Sequence, residues 1–175
     1  MTRLSSIEQI FTAGSNGDSV ARTIMGLLLY EARKADAGKA LLKEMSDKGV
    51  IWASDMLATI SREESPNHIR YMTGLTVSAE KQLVSYVTRD QNIYAMTVIG
   101  LLKLRQNDSS QQSVGKEYLD AAKTAGCLWA EDLQMPTPAH RYAFESGHPF
   151  EHLRNRVPQP SESDIVNIVS KKYGY

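Results

Sequence analysis

The sequence predicts an all-α protein built from stacked pairs of antiparallel helices, because one short pattern occurs four times. The clearest copies are Gly49-Val-Ile-Trp-Ala53 and Gly126-Cys-Leu-Trp-Ala130. Weaker copies end at Ala21 and Ala95, so successive alanines are 32, 42 and 35 residues apart. Spacings of this size are typical of repeated helical hairpins.

The residues after each alanine predict the first helix of each hairpin. After the first three alanines, apolar side chains follow at offsets of three, four and seven residues, which define one face of an α-helix; after Ala130 only Leu133 is apolar at these offsets. Five residues after the alanine, Gly26, Ala58 and Gly100 are all small. A small residue at this place predicts close approach of a neighbouring helix.

The residues before each turn predict the second helix of each hairpin. Apolar residues lie four and seven positions before the turn, as Met45 and Leu42 do before Gly49. Gly17, Gly49 and Gly126 supply the left-handed backbone that commonly ends a helix. We expect the polar run from Gln106 to Ser113 to be a solvent loop.

These residues resemble the tetratricopeptide-like repeats of the Sel-one-like family, over roughly residues 5 to 135. The resemblance depends on Ala21 with Gly26, Ala95 with Gly100, and the Ala-Ala of Leu119-Asp-Ala-Ala-Lys-Thr-Ala-Gly126. It also includes lysines that open each second helix, which are Lys39, Lys81 and Lys116. The middle unit departs from the pattern, with Gln91 in place of glycine and about ten extra residues near 65–74.

The resemblance implies a right-handed superhelix of about three repeats plus caps over residues 1–135. Residues 136–175 have no repeat register and are expected to be a capping extension. Within it, Ser161-Glu-Ser-Asp164 has the form of a capping box and predicts a terminal helix that packs back on the repeats.

Composition excludes several classes of function. Twenty basic and twenty acidic residues cancel, so no overall field favours nucleic acid or a membrane surface. No apolar run is long enough for a membrane span, and no signal peptide is visible, so a cytoplasmic location is expected. The single cysteine, Cys127, rules out an internal disulfide and is expected to be a buried hydrophobe.

The sequence offers no catalytic constellation. We find no nucleophile–base pair, phosphate-binding loop or metal-ligand cluster, so the chain is expected not to be an enzyme and to need no cofactor or metal. His140, His148 and His152 are interpreted as surface or capping residues.

The candidate binding residues are the large side chains just before the repeat alanines. Three of the four are aromatic, and we call the set, Val20, Trp52, Tyr94 and Trp129, the aromatic column. It is predicted to line the concave groove of the superhelix, since aromatic residues are favoured binding anchors. Five further residues either contribute to the same groove and favour an acidic partner or form a solvated face: Arg22, Tyr30, Arg33, Lys103 and Arg105.

Two other interpretations of the column stay open. The aromatic side chains could pack between repeats or under the extension, and the C-terminal tail could itself occupy the groove as a cap or a competitor.

The expected function is a scaffold that binds another protein or a peptide segment, as an adaptor, a chaperone or a toxin-neutralising partner. The chain is expected to be a monomer or a weak homo-oligomer, with no nucleic-acid or membrane partner. The alternatives are a small enzyme whose tail supplies catalytic groups and a nucleic-acid-binding helical repeat protein.

Overall fold

The computed structural model describes residues 4–63, 75–134 and 162–175. These residues form nine α-helices and no strand, which confirms the all-α class for this part of the chain. The helices are α1 Leu4–Ser15, α2 Ser19–Glu31, α3 Ala35–Asp47, α4 Ile51–Glu63, α5 Val77–Asp90, α6 Ile93–Leu104, α7 Ser109–Thr124, α8 Leu128–Gln134 and α9 Glu162–Lys172.

The predicted loop from Gln106 to Ser113 is confirmed only as far as Asp108. The polar residues from Ser109 onward begin α7, because the Asp108 side chain accepts a hydrogen bond from the Ser110 backbone N–H and so caps the helix. Hydrogen bonds from Ser110 lower the pKa of Asp108, which keeps the cap ionised. A polar run that starts with a good capping residue is therefore a helix start here.

The turns between hairpins have the predicted backbone. Gly17, Gly49 and Gly126 have φ values of +103°, +89° and +98°. Gln91, which stands where the pattern has glycine elsewhere, also has a left-handed backbone, with φ of 50°. The turn geometry is therefore retained in the one unit that lacks the glycine.

The eight helices α1 to α8 form two halves with the same order of elements, residues 4–63 and 75–134. Each half has a close crossing of two glycines. A Cβ on Gly38 would lie 2.5 Å from the Gly26 carbonyl oxygen, and a Cβ on Gly115 would lie 2.7 Å from the Gly100 carbonyl oxygen. The prediction of close approach is thus confirmed at Gly26 and Gly100, whereas Ala58 is exposed.

A glutamine joins the halves in the same way at two places. The Gln82 amide on α5 donates to the Gly49 carbonyl (2.7 Å) and accepts from the Ile51 N–H (2.7 Å). The Gln9 amide on α1 donates to the Gly126 carbonyl (2.8 Å) and accepts from the Leu128 N–H (2.9 Å). We call these two arrangements the glutamine clamps; each fixes one half to a turn of the other half.

The clamps close the set of helices on itself. Each helix from α1 to α8 packs on the next, and α8 packs on α1. The Ser6 hydroxyl of α1 also donates to the buried carboxylate of Asp132 on α8. The halves meet again where the Asn92 side-chain amide donates to the Asp18 carboxylate, 2.9 Å away, which joins equivalent caps of α6 and α2.

This arrangement bears on the predicted superhelix. An open superhelix separates its first and last helices, whereas here α1 lies against α8. The right-handed superhelix is therefore not confirmed. The terminal helix predicted in the extension is present as α9 and packs against α1 and α2, while the rest of that extension lies outside the described residues.

Candidate functional site: the surface that holds the C-terminal segment

The last described segment of the chain is held by the first half. Helix α9 buries Ile165, Val166 and Val169, and it packs against α1 and α2. At its edge, the Lys172 ammonium lies 3.2 Å from the Glu8 carboxylate. The apolar face of α9 therefore provides the area of contact, and polar groups at its end fix its position.

Two tyrosines beyond α9 continue this contact. The Tyr173 ring lies 5.8 Å from the Phe11 ring, centroid to centroid, and its hydroxyl lies 2.7 Å from the Thr12 hydroxyl. Lys34, in the turn between α2 and α3, donates to the Tyr175 carbonyl oxygen (2.8 Å) and to the Ser170 hydroxyl (3.1 Å). We call Phe11, Thr12, Arg22 and Lys34 the tail seat.

Arg22 gives the tail seat an ion pair. Its guanidinium pairs with the Glu44 carboxylate at 2.9 Å, and Tyr175 also interacts with it. Burial opposes this charge, but the bond to Glu44 and the neighbouring Tyr175 together raise the pKa of Arg22. Burial likewise acts against the charge of Glu44, yet Arg22 outweighs it and lowers the pKa of Glu44.

The aromatic column is not a groove surface in this structure. Val20, Trp52, Tyr94 and Trp129 are only 1%, 0%, 4% and 7% exposed. Their burial does not fit an open wall and agrees with the interpretation left open above, that these side chains pack between neighbouring helices. A role for them in partner binding stays a prediction.

Tyr94 has a structural partner of its own. Its hydroxyl donates to the Gln9 carbonyl oxygen at 3.3 Å, and burial raises the pKa of Tyr94. In the described part of the chain, the Trp52 indole N–H has no hydrogen-bond partner. These two aromatic residues thus belong to the interior that holds the hairpins together.

The other predicted site residues lie in different places. Tyr30 is 3% exposed, with the Lys39 ammonium 6.0 Å from its ring centroid. Lys103 pairs with the Glu80 carboxylate at 3.0 Å and donates to the Gln111 side chain at 2.9 Å. Of the predicted residues, only Arg22 belongs to the tail seat, and they do not form one surface.

Lys103 lines a separate cleft between α5, α6 and the turn after α6. This open groove has a volume of about 130 Å³. Its walls are Leu75, Glu80, Ile99, Leu102, Lys103, Arg105 and Gln106.

Sequence reasoning missed the main contacts of the tail seat. Phe11, Thr12 and Lys34 were not predicted as site residues, since each is isolated in sequence from the repeat pattern. The available signal was the tail itself: a tyrosine pair, Tyr173 and Tyr175, follows an amphipathic helix.

The sequence raised Cys127 and three histidines as possible chemical groups. Cys127 is 1% exposed and lies 3.3 Å from the Thr97 hydroxyl, which fits the predicted buried hydrophobe. Within residues 4–63, 75–134 and 162–175, no three His, Cys, Asp or Glu side chains come together as a possible metal site. His140, His148 and His152 lie outside this part.

No helix in the same ranges has the length and apolar character needed to cross a membrane.

Comparison with known proteins adds no relative. No family model, curated protein or solved structure matches the chain significantly. The fold and the site themselves define an all-α protein of paired helices whose first half binds a segment of its own chain.

Proposed function

We propose that this chain is a protein-interaction scaffold of Sel-one-like helical repeats, which binds a peptide segment of another protein as an adaptor, a chaperone or a toxin-neutralising partner. The supporting observation is the tail seat, where Lys34 and Thr12 bond to a segment distant in sequence. Because α1 packs on α8, the proposed scaffold is a closed ring of helices and not an open superhelix.

The chemistry of the tail seat suits a short peptide. An aromatic pair anchors one residue, a cation bonds to a backbone carbonyl, and Arg22 adds an ion pair. Aromatic anchors with a few polar bonds are a common mode of peptide recognition. In this proposal the tail is a built-in competitor, and a partner binds by replacing Tyr173 and Tyr175.

The balanced net charge favours a protein partner over nucleic acid or a membrane. The proposal needs no cofactor, and it places the protein in the cytoplasm as a monomer or weak homo-oligomer.

The test is an affinity purification from the source organism with three forms of the intact chain. These are the wild type, Tyr173→Ala/Tyr175→Ala, which weakens the competitor, and the same variant with Arg22→Ala/Lys34→Ala added. We expect the tyrosine variant to recover more of a specific protein than the wild type, and the quadruple variant to recover little.

Lys43→Ala is the matched control, because Lys43 is an exposed lysine on α3 whose ion pair, 3.0 Å from the Asp47 carboxylate, lies outside the tail seat. It should behave as the wild type. Equal recovery by all forms would show that the tail seat is not the binding site, and recovery no better than from empty resin would overturn the scaffold function. Thermal melts of each variant exclude unfolding as the cause.

A further inference from the structure

The segment held by the tail seat ends its helix with a left-handed turn. Gly174 has a φ of +84°, and the Tyr175 backbone N–H donates to the Ser170 carbonyl oxygen at 3.0 Å. The turns after α1, α3 and α7 also contain a left-handed glycine. This is a common way for a helix to end, and glycine adopts it without strain. The tail seat therefore holds a particular backbone shape as well as a set of side chains.

The turn places the two tyrosines on different parts of the tail seat. Tyr173, before the glycine, contacts the Phe11 ring and the Thr12 hydroxyl. Tyr175, after the glycine, interacts through its side chain with Arg22. Because the residue between them has a positive φ, an L-residue there would strain the turn that brings both tyrosines into contact.

Lys34 contacts the C-terminal end of α9. Its ammonium donates to the Tyr175 carbonyl oxygen (2.8 Å) and to the Ser170 hydroxyl (3.1 Å). A positive charge is favourable at this end of a helix and unfavourable at the other end. Ser170 is fully buried, so its position suits only a small residue. These contacts fit the last turn of a helix in one orientation.

We infer that the partner segment that binds the tail seat is a helix ending in a left-handed glycine with an aromatic residue on each side. The helix has apolar residues at the places of Ile165, Val166 and Val169, and a small residue four places before the glycine. Tyrosine is the best aromatic residue at both places, because Thr12 and Arg22 each interact with a tyrosine side chain. This inference rests on the proposed scaffold function and states which class of peptide the tail seat recognises.

The test is fluorescence anisotropy with labelled peptides and the intact chain carrying Tyr173→Ala/Tyr175→Ala. These changes weaken the tail that otherwise occupies the seat. The peptide of residues 162–175, with both ends blocked, should therefore bind this variant at least about tenfold more tightly than the wild type. Adding Lys34→Ala should weaken the peptide about tenfold. Adding Lys43→Ala should have no effect, because Lys43 lies outside the tail seat.

Two peptides changed only at Gly174 test the turn. L-Alanine should weaken binding about fivefold to tenfold, because a left-handed backbone strains an L-residue. D-Alanine favours a positive φ, so its peptide should bind at least as tightly as the glycine peptide. Gly174 is exposed, and a Cβ on it would meet no atom of the described part of the chain within 4 Å, its chain neighbours apart. A loss with L-alanine would therefore come from the backbone and not from a clash.

A double-mutant cycle locates the first tyrosine of the bound peptide. Thr12→Val in the chain and Tyr173→Phe in the peptide each remove the same bond between two hydroxyls. Together they should weaken binding no more than either change does alone. Additive losses would mean that this tyrosine lies elsewhere, and they would overturn the inference.

Contrary results separate the inference from the proposed function. Equal binding of the glycine, L-alanine and D-alanine peptides, or no binding of the glycine peptide, overturns the inference. If the affinity purification then still recovers a partner through Arg22 and Lys34, the scaffold function stands and the partner uses another motif. If the peptides behave as expected but the purification recovers no partner, the tail seat recognises only this chain's own turn, and the proposed function is wrong.

Discussion

The two halves of the molecule share a backbone plan but not a surface. Both have a glycine crossing, a glutamine clamp and a capped helix start at Asp18 or Asn92. They differ where they face solvent or α9, as the replacement of Leu29 by Lys103 illustrates. The shared residues therefore set the fold, and the residues that differ give the two halves different surfaces.

The largest effect is expected at the glycine crossings. Gly38→Ala and Gly115→Ala should each lower the free energy of unfolding by about 1–3 kcal/mol, because the new methyl group meets backbone atoms at 2.5 Å and 2.7 Å. Urea denaturation measures this. Ala40→Gly, an exposed site on α3, is the control and should cost about 1 kcal/mol from helix propensity alone. A stabilising Gly38→Ala would mean that the crossing is looser than described.

The second-largest loss of stability is expected when a glutamine clamp is removed. Gln9→Ala and Gln82→Ala each remove two hydrogen bonds to a turn, so each should cost about 1–2 kcal/mol in urea denaturation. Gln112→Ala, which removes one exposed bond to the Gln106 carbonyl, should cost much less. Unequal costs for the two clamps would break the comparison between the halves, since equal geometry predicts similar values.

The contact between the caps gives a pH-dependent test. Asn92→Asp keeps an oxygen to cap α6 but places a second carboxylate beside Asp18, so two like charges repel each other across this contact. The repulsion makes the variant less stable than the wild type by about 1 kcal/mol at pH 7, and the deficit shrinks at acidic pH, where carboxylates become protonated. Asn92→Ser keeps the cap without the charge, and a pH-independent deficit in Asn92→Asp would contradict the contact.

The smallest effect is expected at Glu44. Its ion pair with Arg22 has no counterpart in the second half, where Met96 and Ala121 stand at the equivalent places. The pKa of Glu44 is lowered from 4.5, so its stabilisation is present above pH 4.5 and is lost as the pH falls through the lower, folded pKa. Because the carboxylate is 36% exposed, Glu44→Gln should cost only about 0.5 kcal/mol at pH 7. Thermal melts at pH 7 and pH 3 should show the difference between the two proteins disappear at the lower pH.

Local features of the fold were predictable because they depend on neighbouring residues. The left-handed turns at Gly17, Gly49 and Gly126 and the close approach at Gly26 and Gly100 follow from residue size and backbone freedom. The start of α7 was missed because the capping oxygen of Asp108 outweighs the polarity of the residues after it. Capping is a single contact that a count of polar residues does not register.

The candidate site was less predictable, since it depends on which distant helices meet. Placing the four alanines in one column treated every hairpin as equivalent, so Trp52 and Tyr94 were expected on one wall. The sequence did contain signs that the chain is divided into two halves. The spacing between the second and third alanines is longer than the other two spacings, and Gln9 and Gln82 lie at equivalent places of the two halves. For the tail seat the sequence signal was the tyrosine pair of the tail, and its partners had no signal, because Thr12 and Lys34 meet these tyrosines only through tertiary packing.

The contact of α1 with α8 has a consequence for how the protein gains its structure. On the ribosome, Gln9 emerges well over a hundred residues before Leu128, the backbone group that it finally bonds. The contacts of α1 with α8 and with the turn before it can therefore form only after residues 126–134 have been synthesised. In a linear array, by contrast, each repeat contacts only its neighbours. Removal of α1 or α8 should lower the stability of all the helices in the ring, so the domain is expected to melt in a single cooperative step.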